Sequence, residues 1–447
     1  MRIDEFDRTL VLEQDDTNIS LTYWKEDHTL PKHVEESIVK IILDRLRVEF
    51  PENCTLDELL RLLPSEFLSK TVQVLNQMYI SNQVVNYQDR HYAYLMYYLP
   101  ANVFKIWRPL MDLQVGNNLK AECRVLDVGT GPGSVAVGIC LYFGLLAESY
   151  SDIQFALEFT LLDAEGTFLD IAQDMLTRTA QALPHNLSVR ISSVHQVVLG
   201  TEELPELDRY DIITFSNFFT SNERQDIRGA YLILEKFKSN LVQDGSIVII
   251  EPGAQTECIR MKNLRNAAVN KGLYNVYSPC LGVWEPKDVY NCACFGMVRS
   301  HWNLPQIYEF LVAQGLNKAN RPNVPFNYVI LRQDGLRKYA PFQRQHFVPL
   351  CDLEHYVGKR VNVRAILRTV IYRPNSIHLA LCDGSCAIQS DDEAFWVQTT
   401  DKVLKKHGIQ SRLVAGECIT LKKVTVPHQG QGRRLQIDKD TRIEIAY

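Results

Sequence analysis

The sequence predicts an α/β protein: a doubly wound parallel sheet between a mostly helical N-terminal region and an all-β C-terminal barrel. Three observations predict this fold class. Short apolar runs alternate with amphipathic helical segments between residues 101 and 340. A glycine-rich turn follows the first of those runs. From residue 345 to 447, five strand-like segments accompany a single helical one.

Composition narrows the function classes before any motif is considered. The chain has 447 residues, 46% hydrophobic and 23% charged, which is ordinary for a globular protein and excludes a disordered or collagen-like chain. No apolar run is long enough to cross a membrane. The opening MRIDEFDRTL resembles neither a secretion signal nor an import presequence. We therefore expect a cytoplasmic protein without a membrane partner.

Residues 1–100 are expected to form a strand pair followed by helices. The segments RTLVLEQ and NISLTYW alternate as strands do, and HVEESIVKIILDRLRVEF and LDELLRLLPSEFLSKTVQVLNQMY carry apolar residues at helical spacing. Residues 101–340 are expected to form the α/β domain, with a cysteine-containing insertion at 278–300. Its buried strands are CRVLDVG, EFTLLDA, LSVRISSV, YDIITFS and GSIVIIEP.

The segment from 345 to 447 predicts an OB-fold-like barrel. Five strands with one helix after the third is the layout of that fold. The strands are GKRVNVRAILRTVIY, SIHLALCDG, EAFWVQTT, GECITLKKVTV and RRLQIDKDTRIEI, and the helix is TDKVLKKHG. This segment has 15 basic and 11 acidic residues, a net charge of +4, whereas the whole chain carries −5. A basic barrel on an acidic body favours an anionic partner.

The most informative motif is VLDVGTGPG, at residues 125–133. Glycines let the backbone approach a ligand where a buried strand ends and a helix begins. The spacing lacks the Lys and Ser/Thr of a phosphate-binding P-loop and the third glycine of the dinucleotide fingerprint. Acidic and polar residues follow the neighbouring strands, at Asp163-Ala164 and at Ser216-Asn217.

These segments together resemble the S-adenosylmethionine site of class I methyltransferases, which have a Rossmann-like sheet. The resemblance implies a set of cofactor-binding residues: Asp127, Gly129, Thr130, Gly131, Gly133, Asp163, Ala164 and Ser216. The alternative is a nucleotide-like α/β fold in which the glycine turn only packs.

An ordered set of further motifs is similar to the methyltransferase-like assembly factors of the mitochondrial small ribosomal subunit and their bacterial relatives. The motifs are AYL (93–95), LPA (99–101), EPG (251–253), PC (279–280), CACF (292–295), FNYVILR (326–332) and LCDG (381–384). The resemblance implies S-adenosylmethionine binding, contact with small-subunit ribosomal RNA and a four-cysteine [4Fe–4S] cluster.

The cysteine pattern departs from that family, because Cys280 has no second cysteine about six residues later. Cys292 is the candidate replacement. The predicted ligands are then Cys280, Cys292, Cys294 and Cys382, which suit a [4Fe–4S] cluster or, alternatively, tetrahedral zinc. The remaining alternative is that Cys292 and Cys294 are small buried residues on one face of a strand.

Asn217 and Phe218 are the candidate catalytic residues. They occupy the position at which amino-methylating enzymes keep an Asn/Asp-Pro-Pro-aromatic motif, although both prolines are absent here. Asn217 would accept a hydrogen bond from a substrate amine and Phe218 would stack on a base. The alternative is that Phe218 closes the end of its strand by packing. Tyr94 is a candidate cover for the cofactor or, equally, a packing residue.

RNA contact is expected through the barrel, because OB folds bind single strands with aromatic residues in a basic groove. The candidate residues are Arg368, Arg373, Trp396, Lys422, Lys423, Arg433 and Arg434. The acids at 391–393 argue against a uniformly basic surface.

Three functions remain in competition. The chain binds S-adenosylmethionine and acts on, or assembles with, ribosomal RNA. Alternatively, it methylates a small molecule or a protein, and the barrel recruits the substrate or a protein partner. In the third, it is a non-catalytic RNA-binding scaffold.

Overall fold

The computed structural model describes most of the chain, in ranges separated by gaps. The described residues are 1–4, 8–12, 27–64, 70, 72–73, 91–199, 203–219, 226–280, 291–292, 297–316, 323–339, 346–386, 394–409, 413–428 and 433–446. Contacts group the chain into two compact units. The first unit comprises residues 1–229, 236–250 and 299–324, and the second comprises 230–235, 251–298 and 325–447.

Eleven α-helices and sixteen strands lie within these ranges. The helices are α1 Lys32–Leu46, α2 Leu56–Leu62, α3 His91–Ala93, α4 Leu99–Val103, α5 Trp107–Val115, α6 Ser134–Ser149, α7 Gly166–Ala180, α8 Ile227–Lys236, α9 Gln255–Asn270, α10 Gln306–Ala313 and α11 Asp401–Lys406. The strands are β1 Arg2–Ile3, β2 Leu10–Val11, β3 Glu122–Val128, β4 Phe155–Asp163, β5 Leu187–Gln196, β6 Tyr210–Ser216, β7 Leu241–Pro252, β8 Asn275–Ser278, β9 Val298–His301, β10 Asn323–Arg332, β11 Arg360–Arg373, β12 Ser376–Cys382, β13 Phe395–Thr399, β14 Cys418–Thr425, β15 Arg434–Gln436 and β16 Arg442–Ala446.

The N-terminal prediction is confirmed in part. β2 lies within the predicted segment RTLVLEQ but pairs antiparallel with β1, which was not predicted. The predicted partner NISLTYW lies wholly outside the described residues. α1 confirms the first predicted helix, and α2 begins at a capping box in which Thr55 and Glu58 bond each other's backbone amides. Most of the second predicted helix after α2 also falls outside the described ranges.

A helical run precedes the parallel sheet. It contains α3, a π-helical turn at Tyr94–Tyr98, α4, a 3₁₀ turn at Phe104–Ile106, and α5. Gly138 on α6 lets this run pack closely, since a Cβ there would lie 2.2 Å from the carbonyl oxygen of Val103. The indole of Trp107 donates to the Gly138 carbonyl at 2.9 Å.

The first unit contains five parallel strands in the order β5-β4-β3-β6-β7. This is the 3-2-1-4-5 order of a doubly wound, Rossmann-like sheet, which confirms that part of the predicted fold. β3 is buried from Val125 to Val128, as a strand covered on both faces must be. Helices α6 and α7 follow β3 and β4 in the expected βα rhythm.

The second unit contains the antiparallel pair β8–β10, the helix α9 and a six-stranded sheet. In that sheet β11 pairs with β12, β12 with β13, β13 with β15, β15 with β14, and β14 with β11. These pairings form a closed cycle. α11 lies between the third and fourth strands, and the inward side chains, such as Leu367, Leu379 and Ile419, form one apolar core.

The predicted extent of one strand in this sheet is wrong. The segment RRLQIDKDTRIEI forms two strands, β15 and β16, instead of one. Asp438 causes the break, because its carboxylate accepts from the amides of Asp440 and Thr441 at 2.8 and 3.1 Å and so holds a turn. β16 then pairs antiparallel with β14. Within the described ranges, no helix combines the length and apolar character that a membrane crossing needs.

Candidate functional site

The glycine turn after β3 is held in shape by the neighbouring strand. The amides of Gly129 and Thr130 both donate to the Leu162 carbonyl, at N···O distances of 2.7 and 3.1 Å. Gly129, Gly131 and Gly133 have φ angles of 69°, 52° and 89°, a region that glycine occupies without steric cost. The turn therefore presents backbone at the carboxyl edge of the sheet.

The three glycines have different surroundings. A Cβ on Gly129 would lie 2.5 Å from the ring of Phe218, and one on Gly133 would lie 3.3 Å from Ala172. A Cβ on Gly131 would meet no atom within 4 Å. Gly129 and Gly133 are thus needed for packing, whereas Gly131 faces open space that a ligand can enter.

Asp127 shapes the turn from within β3. Its side chain is buried, and its two carboxylate oxygens accept from the hydroxyls of Thr130 and Thr214 at 2.7 and 2.6 Å. Burial raises the pKa of Asp127 to about 6, against the opposing effect of the two hydroxyls and with a smaller contribution from Asp163. The role of Thr214 was missed from the sequence, because it depends on the β3–β6 register, in which Thr214 lies opposite Asp127.

Asp163 connects the end of β4 to the glycine turn. One carboxylate oxygen accepts from the Gly131 amide at 2.8 Å, and the other accepts from the Glu165 amide at 3.0 Å. The next residue, Ala164, accepts at its carbonyl from Gln196 Nε2 at 3.1 Å. Gln196, at the end of β5, is a second neighbour that sequence reasoning missed.

Residues 216–219 follow the end of β6, on the other side of β3 from Asp163. Ser216 is half-buried, and Asn217 has a φ of 51° while its amide donates to the Ile250 carbonyl at 2.8 Å. Phe218 is 4% exposed and packs edge-on against Phe219 with ring centroids 5.0 Å apart. Phe218 thus lies in the core behind Gly129, and its stacking on a substrate base stays a prediction.

An aromatic cluster lies at the start of α7, just after Asp163. Phe168 makes edge contacts with Tyr94 and His91, with ring centroids 5.3 and 4.8 Å apart. Tyr94 also contacts Tyr98 within the π-helical turn. π-Helical turns are frequent at functional sites. Phe168 and His91 had not been singled out from the sequence.

The predicted metal ligands lie in the second unit. Cys280 and Cys382 line one cavity together with Lys262 and Arg368. Burial alone would raise the pKa of the Cys280 thiol, but the charges of Lys262, Arg265 and Arg368 outweigh burial and lower that pKa. Lys262 Nζ lies 3.2 Å from Cys280 Sγ.

The third predicted ligand, Cys292, accepts at Sγ from Arg265 Nη2 at 3.0 Å. Cys294 lies outside the described residues. Among the residues that the structure does describe, no group of three or more His, Cys, Asp or Glu side chains is placed to hold a metal. The structure thus gathers Cys280 and Cys382 at one cavity and leaves the complete ligand set a prediction.

The six-stranded sheet of the second unit places three of the predicted RNA-binding residues on one surface. On β13, Trp396 lies opposite Arg434 of β15, and on β11, Arg373 lies opposite Ser376 of β12. His378, between them on β12, has its pKa lowered by burial and by the charges of Arg373 and Arg434. We call these residues (Arg373, His378, Trp396 and Arg434) the outer face of the six-stranded sheet.

The other four predicted RNA-binding residues lie elsewhere. Arg368 is 7% exposed and lines the cysteine cavity. Lys422 forms an ion pair with Glu444, 2.6 Å from Nζ to carboxylate oxygen. Lys423 is exposed and has a φ of 58°. Arg433 stacks its guanidinium on the Phe395 ring, 5.5 Å from the centroid.

Known proteins that are similar to this chain are found among solved structures. No family model and no curated protein matches the chain. Similar solved structures include an S-adenosylmethionine-dependent methyltransferase of Methanosarcina mazei (13% identity, 49% of this chain and 96% of that one, TM-score 0.26). Others are enzymes of the same class from Leishmania major (13%, 62% and 91%, TM-score 0.30) and Corynebacterium glutamicum (15%, 41% and 72%, TM-score 0.21). At these low TM-scores, the fold assignment rests on the strand order and pairing described above.

Proposed function

We propose that this chain is an S-adenosylmethionine-dependent methyltransferase that acts on RNA. The observation that carries the proposal is the open space at Gly131 beside the Asp163 carboxylate. This space lies at the end of β3, where the strand order reverses, with β4 on one side of β3 and β6 on the other. Doubly wound sheets bind ligands at this switch point.

The residues at this edge fit the parts of S-adenosylmethionine. The Gly131 backbone allows close approach of the cofactor, and the Asp163 carboxylate accepts hydrogen bonds from ribose hydroxyls. The bound sulfonium would supply an activated methyl group, so the protein has mainly to align the acceptor. Asn217 is the residue we assign to the acceptor, because its side chain follows β6 at the same edge of the sheet.

Cofactor binding can be tested at Gly131 by calorimetric titration with S-adenosylmethionine. We expect Gly131→Val to weaken binding at least about tenfold, or about 1.4 kcal/mol, because the new side chain fills the open space. Gly315→Val is the matched control. Gly315 also lies in the first unit, has a φ of 91° and has nothing within 4 Å of its Cβ position. Equal affinity of the two variants for S-adenosylmethionine would show that the cofactor does not bind at the glycine turn.

We propose RNA as the methyl acceptor or assembly partner because of the second unit. The closed cycle of β11–β15, with a helix between the third and fourth strands, supports an OB-like barrel. The outer face includes strands two and three of that cycle, which are the ligand-binding strands of OB folds. Two arginines and a tryptophan there suit phosphates and stacked bases. The resemblance to ribosomal assembly factors favours small-subunit ribosomal RNA, and a protein partner is the alternative occupant.

The RNA proposal predicts how single substitutions change the affinity for single-stranded RNA and its salt dependence. Trp396→Ala should cost about 1–3 kcal/mol of binding free energy through lost stacking. Arg434→Gln should lower the slope of log affinity against log salt by about 0.7 for one lost phosphate contact. Lys402→Gln, an equal charge loss on α11, should leave both quantities unchanged. Identical salt slopes in Arg434→Gln and Lys402→Gln would contradict the assignment.

We also propose that Cys280, Cys382, Cys292 and Cys294 bind a [4Fe–4S] cluster, with zinc as the alternative occupant. Two of these thiols line one cavity, and cations that favour thiolates lie beside them. A cluster there would cross-link residues 280–294 to the barrel strand β12, and its binding energy would add to folding stability. Iron, sulfide and zinc analysis of protein purified without oxygen distinguishes these occupants.

The same experiments separate the competing functions. Cofactor binding without RNA binding would favour methylation of a small molecule or a protein. RNA binding without cofactor binding would favour a non-catalytic assembly scaffold.

A further inference from the structure

The outer face of the six-stranded sheet holds a histidine between two arginines. Along β12, Ser376 and His378 are half-buried, while the residue between them lies in the core. Successive side chains of a strand point to opposite faces of the sheet, so His378 lies on the solvent side together with Ser376. Arg373 of β11, which pairs with Ser376, is exposed, and so is Arg434 of β15.

The strand register brings both arginines near His378. On β11 the partner of His378 is Ile371, so Arg373 is a diagonal neighbour, at roughly 7–8 Å between Cα atoms. On β13 the partner of His378 is Gln398, which pairs in turn with β15 two residues beyond Arg434. One arginine therefore approaches the imidazole from each side, and the charges of both act on it.

The charges that act on His378 are positive. Burial, followed by the charges of Arg373 and Arg434, lowers the pKa of His378 below its usual value. The neighbouring strand β13 contains no charged residue, and on β12 the polar group beside the imidazole is the Ser376 hydroxyl. His378 is therefore neutral near pH 7, because the two arginines oppose a third positive charge.

The hydrogen bond of His378 permits it to change charge. Ser376 Oγ lies 3.0 Å from His378 Nε2. A hydroxyl can donate to an unprotonated ring nitrogen or accept from a protonated one, so this bond persists in both charge states. The imidazole can thus take up a proton from solvent while its partner stays in place.

We propose that His378 gains a proton from solvent when an RNA phosphate binds between Arg373 and Arg434, and then acts as a third cationic contact of the outer face. This inference rests on the RNA binding proposed above. A bound phosphate offsets the two guanidinium charges that keep the imidazole neutral, and a nearby negative charge favours the protonated form. A site that takes up a proton on binding has a higher affinity at lower pH.

The test is the affinity of the full-length protein for single-stranded oligouridine at constant salt, measured by fluorescence anisotropy. Neither uracil nor the phosphodiester titrates in the range used. From about pH 7.5 to about pH 5.5, we expect the wild type to gain at least about threefold in affinity relative to His378→Gln, which cannot take up a proton. His378→Lys carries a permanent charge, so it should bind tightly across the range and also lack this gain.

His355→Gln is the matched control. His355 is an exposed histidine of the second unit that lies in the 3₁₀ segment Leu350–Tyr356, away from the outer face. This variant should keep the pH dependence of the wild type. Comparison with it removes the contribution of the other histidines, which gain charge in every variant as pH falls.

The outcomes separate this inference from the RNA proposal. RNA binding with the same pH dependence in the wild type and His378→Gln would overturn the role of His378 and leave the RNA proposal in place. No binding of oligouridine at any pH, or binding that Trp396→Ala and Arg434→Gln do not weaken, would overturn both. If His378→Gln fails to fold, nuclear magnetic resonance titration of the wild-type imidazole decides: its pKa should be higher with RNA bound, and an unchanged or lower pKa would overturn the inference.

Discussion

Asn217 holds a left-handed backbone conformation directly after β6, with a φ of 51°. Asparagine tolerates this region better than most residues, but the conformation still costs free energy, and such residues cluster at active sites. The amide bond to Ile250 fixes the turn. The strain therefore supports a functional role for the Asn217 side chain.

Two substitutions at Asn217 separate the backbone from the side chain. Asn217→Gly should fold normally, since glycine accepts positive φ, whereas Asn217→Ala should be less stable than the Gly variant by about 1 kcal/mol. If the side-chain amide orients the acceptor, both variants should lose methyl transfer from labelled S-adenosylmethionine. Full activity in Asn217→Gly would show that only the backbone matters. Urea unfolding gives the stability of each variant.

At the residue scale, the sequence predicted which positions meet but not how they bond. The glycine turn and Asp163 lie at one edge as expected, because each follows a parallel strand. Thr214 could not be recognised, since its bond to Asp127 depends on the register of β3 against β6. Phe218 was ambiguous because an aromatic residue after a strand can either stack on a ligand or pack, and here its ring lies against Gly129.

At the scale of elements, a buried carboxylate connects α1 to α10. Glu35 is 5% exposed, and its Oε2 accepts from the Ile307 amide at the start of α10, at 3.0 Å. Burial raises the pKa of Glu35 to about 7, although the bonds to the Ile307 and Gln306 amides oppose this. The folded state therefore binds the Glu35 proton more tightly than the unfolded state does.

This raised pKa predicts a pH dependence with a definite sign. The free energy of unfolding should fall as pH rises from about 4.5 to about 7, because ionisation of Glu35 is penalised only in the folded state. Glu35→Gln keeps an acceptor for Ile307 and should remove this part of the slope. Glu36→Gln, on the next residue, is the control and should follow the wild-type curve.

His28 changes the free energy of unfolding with pH in the opposite direction. The quantity to compare is therefore the difference in this free energy between Glu35→Gln and the wild type at each pH. Burial, with a smaller contribution from His301, lowers the pKa of His28 to about 4. Its contribution to stability is therefore lost as pH falls from about 6.5 to about 4. Subtracting the wild-type curve from that of Glu35→Gln cancels this contribution. A difference that does not change with pH between 4.5 and 7 would contradict the assignment to Glu35.

Element types followed from the sequence where periodicity was strong. β3, β6 and α1 coincide closely with their predicted segments, because short apolar runs and 3.6-residue spacing are local signals. The division of the last predicted strand into β15 and β16 was missed. It depends on a single carboxylate, Asp438, that bonds two later amides.

At the scale of the whole molecule, we expect the thermal stability of each unit to respond separately to the ligand proposed for it. In scanning calorimetry, S-adenosylmethionine at a hundred times its dissociation constant should stabilise the first unit by about 2.7 kcal/mol. A chelator that removes metal should lower the transition of the second unit instead. The Gly131→Val protein should show no shift with S-adenosylmethionine. Equal shifts of both transitions with either treatment would contradict this division of binding sites.

The division into units could not be predicted from a linear pattern. The sequence suggests a boundary near residues 340–345, where strand and helix alternation ends. Contacts instead group residues 251–298 with residues 325–447, and such grouping depends on tertiary packing of α9, β8 and β10 that no local signal records. The expected boundaries therefore stay predictions.

The position of β16 has a consequence for colloidal behaviour. It covers the backbone of β14 from Cys418 to Lys422, which would otherwise offer unpaired amides and carbonyls to another molecule. β16 itself is short, and Arg442 and Glu444 are exposed on it. Charged, short edge strands discourage the addition of a further strand from a second chain. The strand that the sequence did not separate from β15 is thus the one that protects this sheet from self-association and aggregation.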